Sequence, residues 1–127
     1  MIKELRDELI SFISSIDGVN RCAVYKGELE EDAEWNPVMP CAFVNFTVIR
    51  PVSYAANNKA IGRNRFAVEI YVADRIECAE LAETITNELD LSEITLDDDI
   101  YQVKLNEISH LGFIRSVEVW RLKIELL

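Results

Sequence analysis

The chain has 127 residues, half of them apolar, with four Gly and three Pro, and a formal net charge of −10 from 23 acids against 13 Lys and Arg. That length is one domain, and surface scaling has folding hide about two-thirds of the unfolded chain's area, so a hydrophobic core needs no metal or disulfide staple. The composition excludes a disordered or collagenous chain, and the acidic balance argues against nucleic acid or an anionic membrane as a whole-surface partner.

Residues 2 to 16 predict an amphipathic helix. Leu5, Leu9, Phe12, Ile13 and Ile16 recur at helical spacing, and Asp17-Gly18 offers a left-handed stop. The segment is charged from Lys3 onward and lacks the apolar stretch of a signal peptide, and no run reaches the ~20 apolar residues of a membrane span. The expectation is a cytosolic protein. Residues 21 to 26 (RCAVYK) predict a short strand. GELEEDAEWNPVMP follows as an acidic loop, because Pro37 and Pro40 break regular structure.

A second strand is expected over 41 to 50, where Ala42, Val44, Phe46 and Val48 alternate toward one face. Residues 51 to 62 have no strong period and predict a loop or a projecting hairpin arm. A third strand is expected over 63 to 73, with Phe66, Val68, Ile70 and Val72 in phase. Asp74 and Glu77 are spaced as a helix-start box, and a second helix is expected over 75 to 90, with Cys78, Leu81, Ala82, Ile85 and Leu89 inward. LSEITLDDD predicts a polar connector. Two final strands are expected over 100 to 109 and 115 to 126, joined at Leu111-Gly112, with Lys104, Asn106 and His110 on one polar face. The whole predicts an α+β domain in the order α-β-β-β-α-β-β. Its sheet is mostly antiparallel, of four to five strands, with both helices packed on one face.

Catalytic signatures are sparse. His110 is the only histidine, so no multi-histidine metal site and no HExxH is possible. No phosphate-cradling glycine motif occurs. Asp97, Asp98 and Asp99 lack the alternation and glycine of a calcium loop. Cys22, Cys41 and Cys78 form no CxxC pair and read as small buried hydrophobes. The expectation is a protein with no cofactor, no metal and no catalysis.

Charge placement says more. Residues 28 to 34 hold five acids and no base, including Glu30, Glu31, Asp32 and Glu34. Residues 77 to 99 hold nine acids and no base. Between these stretches, residues 50 to 68 carry Arg50, Lys59, Arg63 and Arg65 with no acid. Such segregation suits head-to-tail association of copies, which closes into a ring when the rotation permits. Trp35, set among acids beside Asn36-Pro37, is a candidate interface anchor, though an indole can equally fold onto its own core.

The succession IKELRDELISFISSI, MPCAFVNFTVIRP, RFAVEIYVA, ECAELAETITNEL and VEVWRLKIELL resembles the bacteriophage tail terminator, or tail-completion, proteins, including the small tail proteins of Mu-like prophages. The likeness spans essentially the whole chain in order, length and pattern, while the acidic insert at 28 to 34 has no counterpart in it. The resemblance implies a ring, usually a hexamer, that caps the tail tube and meets the head-tail connector. Its partners would then be copies of itself, tube and connector proteins, with no membrane and no sequence-specific nucleic acid. A component of a contractile injection system and a stand-alone protein-binding adaptor are the alternatives.

Overall fold

The computed structural model describes residues 2–27, 39–54 and 60–127, with the backbone alone over 48–54 and 60–65. Helix α1 (Ile2–Ser14) is followed by strands β1 (Arg21–Val24), β2 (Cys41–Tyr54) and β3 (Ala60–Asp74). Helix α2 (Cys78–Leu89) comes next, then β4 (Glu93–Leu96), β5 (Asp99–Ile114) and β6 (Val117–Leu126). The strands lie in the order β1-β2-β3-β6-β5-β4. All pairs are antiparallel except β1 with β2, which run parallel. The protein is therefore α+β with two helices and a six-stranded mixed sheet.

The core follows from the alternation. Leu5, Leu9 and Ile13 of α1 and Cys78, Leu81, Ile85 and Leu89 of α2 share one buried cluster with Val44, Val68, Ile70, Val72, Leu122 and Ile124. Those strand residues are the alternate, in-phase positions of β2, β3 and β6, so both helices sit on one face of the sheet. Helix α1 packs against β1, β2 and β4, although β1 and β4 lie at opposite ends of the strand order. The sheet thus curls around the helix. The other face holds a smaller cluster of Cys41, Phe43, Ala73, Val117 and Val119. Beside it Tyr25 stacks on Tyr71 at 4.3 Å, and Glu69 accepts hydrogen bonds from the Tyr71 hydroxyl at 3.3 Å and the Asn45 amide at 3.4 Å.

Several expectations need correction. The segment expected to be a connector contains β4, a four-residue strand that buries only Ile94 fully and pairs with residues 99 to 102 of β5. The strand count is six, not four to five. The expected turn at Leu111-Gly112 lies inside β5, where Gly112 (φ 104°) sits at a bulge. The chain actually reverses at Arg115-Ser116, both at positive φ, between the paired residues Ile114 and Val117. That is the two-residue hairpin whose twist matches the strands it joins. Asp74 does not cap α2 directly. It accepts from the backbone N–H of Arg75 at 2.7 Å and of Glu77 at 3.3 Å, a turn one step before the helix, and Glu77 occupies the cap without a side-chain capping bond.

Two readings agree with the structure. Gly18 takes φ 97°, a conformation that a side chain resists, at the end of the turn that follows α1, although the helix itself stops at Ser14 and not at 16. The 51 to 62 stretch is a hairpin arm in its described part, since β2 and β3 stay paired out to Tyr54 and Ala60.

Candidate subunit interface

The arm is defined by where pairing stops. Strand β6 accompanies β3 only as far as Phe66, opposite Leu126, whereas β2 accompanies β3 to its start at Ala60. Residues 50 to 54 of β2 and 60 to 65 of β3 therefore run on as a two-stranded ribbon about 17–20 Å long. A lone two-stranded hairpin is at best marginally stable in water. Three of the four basic residues of this stretch lie on the ribbon's backbone: Arg50 on β2, and Arg63 and Arg65 on β3. Arg50 and Arg65 stand opposite each other in the register. Lys59 falls in 55–59, outside the described residues, as do Glu30, Glu31, Asp32, Glu34 and Trp35 in 28–38. The structure therefore places the basic arm and leaves the acidic insert and Trp35 without a described position.

At the opposite end of the same strands, where Cys41 pairs with Ala73, lies a concavity of about 270 Å³ lined by Asp17, Asp74, Glu77 and Glu80. Mutual repulsion is felt there: Glu80, and after it Asp74, hold the Glu77 carboxyl above its usual range. The sequence shows these acids only as part of a long acidic stretch. Asp17 and Asp74, from separate elements, join it only through the fold. Arg75, next to Asp74, and Arg21, opposite Cys41, lie at this end too, so the β2–β3 hairpin carries bases at its arm end and an excess of acids at the other.

Other candidates of the sequence sort simply. Burial pushes the Cys22 and Cys78 thiols up to about 12, so neither supplies much thiolate at neutral pH. The Cys78 thiol donates to the Val72 carbonyl at 3.2 Å. His110 does not share a face with Lys104. The bulge between Leu105 and Glu107 shifts the phase, so Lys104 pairs with Glu125 while His110 pairs with Trp120, on the face that bears the helices. There His110 Nε2 lies 3.0 Å from a Glu118 carboxylate oxygen, and its ring packs 4.8 Å from that of Trp120. Among the described residues no group of three or more His, Cys, Asp and Glu is arranged to hold a metal ion. No helix among them is long and apolar enough to cross a membrane. In comparison with known proteins, no family model matches the chain, and no curated protein matches it.

Proposed function

We propose that this chain is a structural tail terminator, from a phage, a prophage or a related injection machine. Its copies form a ring on the end of the tail tube, stop further polymerisation and present a surface to the head connector. The observation that supports this best is the basic two-stranded arm, which outruns its own sheet on an otherwise acidic molecule. A ribbon with no third strand gains stability by resting on a neighbour, and the opposed charge at the far end of the hairpin fixes the direction of that contact. Head-to-tail contacts of this kind are heterologous and close into a ring when the rotation permits. In this reading no cofactor or catalytic step is involved, and the protein passes from the host cytoplasm into the assembled tail.

The test is assembly. The wild-type chain should cap purified tail tubes, giving tubes of fixed length with an extra ring at one end under the electron microscope. Reversing two charges (Arg63→Glu with Arg65→Glu) should abolish capping while the circular dichroism of the free protein stays unchanged. A wild-type protein that neither forms rings nor caps tubes overturns the reading, and capping untouched by the reversal removes the arm from the interface.

A further inference from the structure

We propose that a second copy of this chain adds to the free edge of β5 in an antiparallel, two-fold pairing that sets Ile108 of each copy against Phe113 of the other. On one side β6 accompanies β5 from Val103 to Ile114. On the other side β4 pairs only with residues 99 to 102. The chain just before it extends that cover a little, as Leu91 N–H donates to the Val103 carbonyl and Val103 N–H to the Ser92 carbonyl, each at 2.9 Å. The last covered group is the Leu105 N–H, which donates to Asp90 Oδ1 at 3.1 Å. From Asn106 to Ile114, no strand among the described residues lies along this edge.

Three features of the edge point to a copy of itself. The first is its surface. Ile108 is 43 % exposed, Leu111 43 % and Phe113 67 %, and residues 106 to 114 contain neither Lys nor Pro. Edges that remain single are ordinarily guarded by such residues; here the only guards are Glu107 and the two bulges, and an edge with this much exposed apolar surface is a template for another strand.

The second feature is register. The Leu105 N–H points away from β6, and the bulges add one residue near 106 and one near 111. Counting on, the outward N–H groups fall at Ile108, His110 and Phe113. A two-fold axis at His110 then brings Ile108 opposite Phe113 twice, with the two His110 residues facing each other at the centre. Both members of each pair point N–H and C=O outward, so each pair exchanges two hydrogen bonds, and their side chains share one face.

The third feature is charge. Asp90 marks one end of the free edge and Arg115, in the hairpin turn, the other. The same register sets Arg115 of one copy beside Asn106 and Asp90 of the other. Glu107 meets Ile114, so no two carboxylates oppose. A two-fold contact is self-complementary and stops at two copies. It is therefore distinct from the contact that would propagate round a ring, and it does not rest on that reading.

The experiment measures the mass of the full chain in solution by sedimentation and light scattering. At about 100 µM the wild type should be a dimer, and Ile108→Glu and Phe113→Lys should each weaken it by roughly tenfold or more. Both positions are exposed, so circular dichroism should be unchanged. Combining the two substitutions should restore the dimer, because opposite charges then face each other in both pairs. The Arg63→Glu, Arg65→Glu variant should remain dimeric, which keeps failure of the arm separate from failure of this edge. A monomeric wild type, an assembly of any size that both single substitutions leave intact, or a double variant no better than the singles overturns the proposal.

Discussion

Glu77 is exposed at the start of α2, yet its carboxyl is held above the usual range, chiefly by the charge of the Glu80 carboxylate and a hydrogen bond with it, and least by Asp74. A raised carboxyl value in the folded state means that ionisation costs more there than in the unfolded chain. Its effect on stability is therefore unfavourable at neutral pH, and it is relieved as pH falls through the folded value, where the native state takes up the proton first. Glu77→Gln should accordingly raise the melting temperature at pH 7. The gain should shrink with added salt and vanish below about pH 4, once the unfolded carboxyl is protonated as well. Melting curves at pH 7 and pH 3.5, with and without salt, check this. A gain that persists at the lower pH would show that the cost at Glu77 is not repulsion. Glu107 makes the useful contrast, because the Ser109 hydroxyl at 2.7 Å and the Lys123 ammonium hold its carboxyl low. The stability Glu107 contributes is present above the unfolded value and is lost as pH falls through the folded one, so the two acids respond to pH with opposite sign.

Among the elements, those with an unbroken apolar phase were legible in the sequence. The stripe Leu5, Leu9, Ile13 and the alternation Phe66, Val68, Ile70, Val72 meet in one core, as their spacing requires. What was not legible turns on single residues. Strand β4 has one fully buried side chain, Ile94, between the exposed Glu93 and Thr95, and one residue carries no period. Its existence depends on β5 lying alongside. The bulges of β5 are equally silent, and they moved His110 to the other face and the turn four residues on from where Gly112 suggested it. The interface candidates were legible as charge alone. Sequence placed the basic stretch, but only pairing shows it as a ribbon beyond β6. The turn itself is testable. Ser116 holds φ 69° and Arg115 φ 51°, a region where a side chain costs roughly 1 kcal/mol or more and where glycine is favoured at the second position. Ser116→Gly should stabilise the protein by about 1 kcal/mol, raising its melting temperature by a few degrees. A loss instead would mean that the Ser116 side chain makes a compensating contact.

On the scale of the whole molecule, one cluster joins every layer: α1, α2 and the inner face of the sheet contribute to it together. The accessible area of the whole chain, 7300 Å², is close to the ~6,900 Å² that scaling gives for a folded chain of this mass. Leu9 is the point at which this unity can be probed. It is fully buried, and α1 bridges β1 and β4 from the two ends of the strand order. Removing its side chain opens a cavity that the curled sheet cannot close without moving both ends at once. Leu9→Ala should therefore cost about 2–5 kcal/mol, a large part of the ~5–15 kcal/mol that holds a domain together. Because the cluster is shared, helix loss followed by circular dichroism and core exposure followed by tryptophan fluorescence should shift to lower denaturant together, with an unchanged slope. Separate transitions would show α1 unfolding apart from the sheet. In that case, the curl of the sheet would be set by strand pairing and not by the helix it wraps.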